Sequence, residues 1–328
     1  MKTGKIPENI LKRSVFKKLT VKRPEVLVHS GIGEDCSVLL TGDEAVVLST
    51  DPITGTAKDI GTLAFHVTAN DIASSGAELV GILLTIIFPP GSEEQELRQI
   101  MTDISKLTEH YGVEILGGHT EVSPVVSQPL VSVTGVGKAP RDRVVRTGGL
   151  RPGQDLVMTK WAGLEGTSIL AKEREDLLRA ELPAEIVERA KAFDRYLSVI
   201  PEARTAMEIG VSAMHDVTEG GIFGALWEMA SASGTGLAVD LNRIPIRQET
   251  IEVCEVFDIN PYMLISSGSM LIGTDHGSRL AERLAGEGIH SAVIGYATEG
   301  NDRVITRGEE RRFLEPPGTD ELFRVMGG

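Results

Sequence analysis

The sequence predicts a mixed α/β protein of two domains. Short β-branched apolar runs alternate with segments of helical apolar spacing, and the alternation restarts after a turn-rich stretch near residue 148. The 328 residues also exceed what one core of ordinary size holds. Hydrophobic residues at 41% and charged residues at 24% lie near the globular average, which argues against a disordered or fibrous chain.

The first strand is expected over Glu44 to Thr50, closed by Asp51-Pro52, because a residue before proline is pushed to extended backbone and the chain turns there. Leu63, Ala64, Val67, Ile72 and Ala73 suit a helix between Gly61 and Gly76, and the unbroken apolar run Leu79 to Phe88 reads as a buried strand. Ser92 followed by Gln95 has the spacing of a capping box. It opens a helix whose apolar face runs from Leu97 to Tyr111 and which Gly112 stops. Strands follow at Val113 to Leu116 and Leu130 to Val136. Turn formers accumulate from Arg146 to Gly153, which places the domain division at 1–147 and 148–328. In the second half, strands are expected at Asp155 to Thr159, Leu237 to Leu241, Ser269 to Gly273 and Ala292 to Tyr296. Helices are expected at Leu164 to Arg179, Pro183 to Leu197 and Gly221 to Ser233.

The totals limit function. A net charge of −14 argues against nucleic-acid binding, which needs a basic field to displace counterions. The longest apolar run is about half of what a bilayer-spanning helix needs, and the basic start lacks the apolar stretch of a signal peptide, so a cytoplasmic protein without membrane contact is expected. Cys36 and Cys254 are the only cysteines, too few for a disulfide framework. Residues 1–23 carry +7 and the remainder −21. That leaves two readings of the basic start: a solvated helix face, or an arm that meets an anionic ligand or the acidic body of a second subunit.

Acidic residues recur at strand ends and Gly-rich turns: Asp35 in GIGED, Asp51 in STDP, Asp71 in NDIASSGA, Glu121 in GGHTE, Asp216 with Glu219 in HDVTEGG. A carboxylate beside an apolar strand is costly to bury unpaired, so each caps a turn or faces a hard cation. Taken together they suggest a magnesium cage for nucleotide phosphates. Magnesium takes one or two carboxylates plus phosphate oxygens, so several ions sharing the cluster is the natural arrangement. Gly31 and Gly33, Gly117-Gly118, and Gly220-Gly221 after Thr218 would let backbone approach a ligand closely, the last pair with free N–H groups at a helix start. Neither a P-loop nor a dinucleotide-binding glycine motif is present.

The ordered motifs GIGEDCSVL, STDP, DIGTLAFHVTANDIASSGAEL, GGHTE, VSVTGVG, HDVTEGGIFGAL and NPYMLISSGSMLI resemble the AIR synthase superfamily over nearly the whole chain, and DIGTLAFHVTANDIASSGA with WAGLEGTSILA look most like its HypE-like branch. The resemblance implies a two-domain PurM-like fold with a C-terminal α/β domain, a homodimer whose N-terminal domains form an intersubunit β-barrel, and ATP in a cleft between domains. It also implies Mg²⁺-dependent transfer of the γ-phosphoryl group to an oxygen of a small molecule or of a carrier or maturation protein. The relatives include a thiamine-monophosphate kinase type, and a non-catalytic ATP-binding scaffold is a further alternative. Carried over by motif, Asp35, Asp51, Asp71 and Asp216 are the metal and phosphate-site acids. Asn70 orients a ligand oxygen or caps its helix.

Two departures from the family pattern stand out. His119 occupies a position where much of the family has an acid. Imidazole suits magnesium poorly, so Glu121 substitutes for that acid, or His119 works as a general acid or base, or it is structural. His66 and His215 are expected to be structural. The HypE terminal cysteine tail has no counterpart in Arg324-Val325-Met326-Gly327-Gly328, so no terminal thiol chemistry is expected, and Cys36 and Cys254 are expected to be packed.

Overall fold

The computed structural model describes residues 4–54 and 56–327; Lys2 of the basic stretch and Gly328 of the C-terminal run lie outside them. Helix α1 (Glu8–Ser14) precedes β1 (Val26–Val28), β2 (Ser37–Thr41), β3 (Glu44–Ile53), α2 (Ile60–Ser74), β4 (Glu78–Phe88), α3 (Glu94–Tyr111), β5 (Glu114–Val122) and β6 (Leu130–Pro140). These strands form one six-stranded sheet in the order β1-β2-β3-β6-β4-β5. A second sheet takes the order β13-β12-β9-β11-β7-β10-β8. It is built from β7 (Asp155–Thr159), β8 (Ala213–Asp216), β9 (Gly236–Asp240), β10 (Met270–Thr274), β11 (Ser291–Thr298), β12 (Arg303–Arg307) and β13 (Glu310–Phe313). Helices α4 (Leu164–Glu173), α5 (Glu175–Glu181), α6 (Ala184–Lys191), α7 (Ile200–Ile209), α8 (Gly221–Ser233), α9 (Gln248–Phe257), α10 (Gly277–Gly286) and α11 (Glu321–Met326) complete this half. The fold is the expected mixed α/β architecture of two sheets. Among the described residues no helix is long and apolar enough to cross a membrane.

Three local differences from the sequence reading have physical causes. Strand β3 continues through Asp51-Pro52 to Ile53, because β2 stops pairing at Leu48 and leaves the missing N–H of Pro52 on an unpaired edge. The capping box of α3 sits one residue later, with Glu93 as cap and the Glu96 carboxylate accepting from its N–H at 2.7 Å. The helix expected over Leu164 to Arg179 divides at Arg174, whose φ of −120° ends α4 before α5 begins.

Helix α2 is the centre of the molecule. Thirteen of its fifteen residues are buried, because it packs on β3 and β6 of its own sheet and on α7 and β8 of the other half. Apolar residues all round a helix mean burial on all sides, and here that brings two sheets to one helix.

The pair Gly117-Gly118 also belongs to the fold. Both have positive φ, 146° and 155°, and a Cβ on Gly118 would lie 1.9 Å from the carbonyl oxygen of Leu84, its partner across the β4–β5 ladder. Gly118 serves the close approach of two strands, and its expected role in ligand approach is corrected accordingly, whereas a Cβ on Gly117 would meet only a Leu83 methyl at 3.8 Å. Gly118→Ala should therefore lower stability by about 2 kcal/mol or more, read as a fall in the urea midpoint. An unchanged midpoint would show that β5 yields freely at this point.

Candidate active site

Four aspartates reach one region from four separate elements. Asp35 comes from the β1–β2 loop, Asp51 from β3, Asp71 from the last turn of α2 and Asp216 from the end of β8. Asp35, Asp51 and Asp71 line a cavity of about 310 Å³, and Asp216 adjoins them, with oxygens of Asp35 and Asp216 within 4.8 Å. Ser49 on β3 donates to Asp51 at 3.2 Å and makes a short contact with Asp71. Among the described residues, both carboxylate oxygens of Asp216 are buried without a hydrogen-bond partner. Burial, then Asp35 close by, pushes Asp216 up to about 7, and burial with Asp216, Asp51 and Asp35 holds Asp71 well above the usual carboxylate range.

Orphaned oxygens and mutually repelling acids are what a hard cation relieves, and a set of oxygen donors alone suits magnesium rather than zinc or copper. His215 is adjacent but is no ligand. Its Nδ1 faces Asp35 at 2.8 Å and its Nε2 faces Glu228 at 3.1 Å, so both ring nitrogens are engaged. Burial pushes this imidazole down, yet Asp35 and Glu228 outweigh it and raise its pKa well above the ordinary value. The charged ring thereby fixes Asp35 in place.

The basic start folds onto its own chain. The Lys5 main-chain N–H donates to Glu219 at 3.0 Å and its ammonium to Glu228 at 3.3 Å, and Lys5 lines the aspartate cavity. Lys12 and Arg23 pair with Glu8 and Glu25 on the surface, so the rest of this stretch behaves as a solvated face. Lys5 also borders a neighbouring cavity of about 550 Å³ together with Gly31, Gly33, Glu219 and Gly220.

Thr218 lines the aspartate cavity. Gly220 and Gly221 precede and open α8 as expected, but their N–H groups are not free. The Asp320 carboxylate accepts from Gly220 at 2.6 Å, and Thr218 O accepts from Gly221 at 3.0 Å. An acid of this chain already occupies that helix start, which corrects the expected anion site.

Asn70 is corrected too. Its amide donates to Leu197 O at 2.8 Å and accepts from Val199 N–H at 2.9 Å, so it ties α2 to the segment before α7, fully buried and outside the lining of the aspartate cavity. His119 and Glu121 lie on β5, an outer strand of the six-stranded sheet, paired with each other at 3.2 Å and exposed at 67% and 48%. Neither lines the aspartate cavity, because the edge strand carries them away from α2 and β8. His66 is buried against Phe65 and Tyr111, and burial pushes it down to about 4, which makes it a neutral core ring.

Two acids escaped the sequence reading. Glu228 stands in the apolar run of α8, and its isolation there was the available signal. Glu165 opens α4, where an acid is ordinarily read as complementing the helix dipole. It is buried in the cavity wall, and burial pushes it up to about 7.

Family models describe this chain in two parts: the N-terminal domain of AIR synthase related protein matches residues 33–139, and the C-terminal domain matches residues 151–307. The chain belongs to the AIR synthase-related family. Among relatives in this family, it is 28% identical to a Methanocaldococcus jannaschii protein named for hydrogenase expression and formation, over 98% of this chain and 97% of the relative. It is 26% identical to the carbamoyl dehydratase HypE of Rhodobacter capsulatus, over 95% and 92%. Its fold superposes on a hydrogenase maturation protein HypE solved with ATP, with a TM-score of 0.73, 22% identity and coverage of 98% and 97%. It superposes equally on a ThiL protein solved with AMPPCP and TMP, with a TM-score of 0.75, 19% identity and coverage of 98% and 100%.

Proposed function

We propose that this protein is an ATP-dependent enzyme that transfers the γ-phosphoryl group to an oxygen of an acceptor, with Mg²⁺ at Asp35, Asp51, Asp71 and Asp216. The convergence of these four aspartates, with both Asp216 oxygens unpartnered, carries the reading. The ATP-bound HypE and the AMPPCP-bound ThiL support it as proteins of the same fold. Magnesium, when bound, neutralises triphosphate charge that these acids would otherwise repel. The chain's own part is positioning. His215 fixes Asp35, Ser49 holds Asp51 beside Asp71, and Lys5 supplies a cation at the cavity wall. Phosphoryl transfer relies mainly on such placement and charge balance, so no protein nucleophile is required.

Residues 1–147 and 148–328 then act as two lobes, both contributing acids to one cleft. A kinase acting on a phosphate acceptor, as in the thiamine-monophosphate type, fits less well. Lys5 is the single cation lining the cavity among the described residues, and it is already engaged with Glu228. A small molecule, or a carrier or maturation protein presenting a neutral or cationic group, fits better. Purified protein should bind MgATP and release ADP only when an acceptor is added. Tight MgATP binding that changes partner affinity with no ADP release for any acceptor would instead favour a scaffold.

We also infer a homodimer built on the six-stranded sheet. Edge strand β5 is unpaired on its outer side, and Val80, Leu83, Leu116 and Val122 are large apolar side chains exposed on β4 and β5. In such a dimer His119 and Glu121 would face the partner copy. Light scattering should report a dimer at micromolar concentration, and Leu83→Asp with Leu116→Asp should give a monomer. A monomeric native protein would sink this reading.

A further inference from the structure

Glu165 lines the same cavity as Asp35, Asp51 and Asp71 but comes from the start of α4. It is 4% exposed, and its Oε2 is buried in the cavity wall without a hydrogen-bond partner. The charged groups that act on it most are Asp320 and Glu219, both acids, and Lys58 and Lys172, which border a small cavity with it, are already paired with Glu173, Asp59 and Asp194. Lys5, the cation of this cavity, is held by Glu228. Ser267 faces Glu165 with its hydroxyl and main-chain N–H, which offset part of the burial, and among the described residues that hydroxyl has no other partner. Leu63, Ile169, Ile265 and Leu322 supply apolar wall around them.

A buried carboxylate without a charged partner is costly to ionise, so it holds its proton until a cation or a strong N–H donor stabilises the charge. A hydrated metal ion suits this position poorly, since one carboxylate and a hydroxyl amid aliphatic side chains cannot replace a hydration shell. An organic cation does suit it, because its carbon part meets the aliphatic wall while its N–H groups reach Glu165 and Ser267.

We propose that Glu165, with Ser267, binds a protonated amidine, guanidine or amine group of the acceptor, and so selects acceptors that carry one. Calling the ligand an acceptor rests on the phosphoryl-transfer reading above; the site itself does not.

Methylguanidinium chloride is the probe and sodium acetate the charge-reversed control. Each is titrated into the full chain with MgADP present, and binding is read by ligand-observed NMR. Methylguanidinium should bind the native protein and bind Glu165→Gln at least tenfold more weakly, while acetate binds neither. Equal methylguanidinium affinity in the native protein and in E165Q would overturn the proposal, as would acetate binding that matches it. Thermal unfolding supplies a second measurement. Above pH ~8, where Glu165 is ionised, E165Q should melt above the native protein, because it removes a buried charge with no charged partner, whereas a lower Tm there would overturn the proposal by showing that the fold itself holds the carboxylate. The two readings also fail separately. Glu165-dependent probe binding by a protein that does not bind MgATP supports this site and removes the transfer reading. MgATP binding with Glu165-independent probe binding overturns this site alone.

Discussion

Asp51→Asn and Asp71→Asn are each expected to weaken Mg²⁺-dependent ATP binding at least about tenfold while raising the stability of the metal-free protein. The two effects have one origin. Asp71 is held well above the usual carboxylate range by burial and by Asp216, Asp51 and Asp35, so replacing one acid with a neutral isostere relieves its neighbours and removes an oxygen charge that a cation needs. Asp216 adds a pH dependence of known sign. Its pKa rises from 3.8 to about 7 on folding, so the native state keeps a proton that the unfolded chain releases. The resulting stability is fully present below pH ~4 and is lost as the pH rises to about 7, a change on the order of 4 kcal/mol at most. Metal-free protein should thus show a falling unfolding midpoint between pH 4 and 7, and millimolar magnesium should flatten it. Calorimetry that gave unchanged MgATP affinity in both variants would remove the acid-cluster assignment.

The parts of this molecule that follow from local pattern were legible in the sequence. Strand β7 and helix α8 lie where apolar spacing places them, and α3 ends at Gly112 in the left-handed conformation its cap requires. Asp35, Asp51 and Asp71 were marked by their setting at turns and strand ends, and they line one cavity. What was not legible depends on long-range contacts. Nothing local distinguishes Gly118, which fits against Leu84, from a glycine that fits against a ligand. Asn70 beside Asp71 looked like a ligand group, and only its bonds to Leu197 and Val199, more than a hundred residues on, show it to be a tie. His119 and Glu121 were drawn into the acid set by motif alone, and sheet order puts them on an outer edge.

The Gly220-Gly221 turn shows the same point at a helix start. A sequence argument treats N-terminal N–H groups of α8 as open to any anion. The chain supplies its own anion instead, because Asp320, just before α11, reaches Gly220 and also caps its own helix through Leu322 N–H at 2.8 Å. Burial pushes Asp320 up to about 6. Two helix ends separated by a hundred residues are joined through one carboxylate, a coupling that no local motif encodes.

His215→Ala is expected to destabilise the protein by about 3 kcal/mol or more, the largest loss of stability foreseen for a single residue of the site. The ring lies between Asp35 and Glu228, and Lys5 reaches Glu228 from the far side. Removing the imidazolium leaves Asp35 close to Asp216 without its ion-pair partner, and it leaves Glu228 with the half-exposed Lys5 as its remaining partner. The pH dependence separates this cause from the loss of ring packing. Because the folded pKa of His215 is raised well above 6.5, its charge contributes stability that is fully present below the unfolded value and fades as the pH climbs through the folded one. The difference in urea midpoint between native protein and H215A should consequently be widest near pH ~6 and narrow under alkaline conditions. A gap that stays constant from pH ~6 to pH ~10 would mean the ring acts by packing alone, and the ion pairs of His215 with Glu228 and Asp35 would have to be given up as the source of that stability. H215A should also weaken MgATP binding, since Asp35 then lacks the group that orients it.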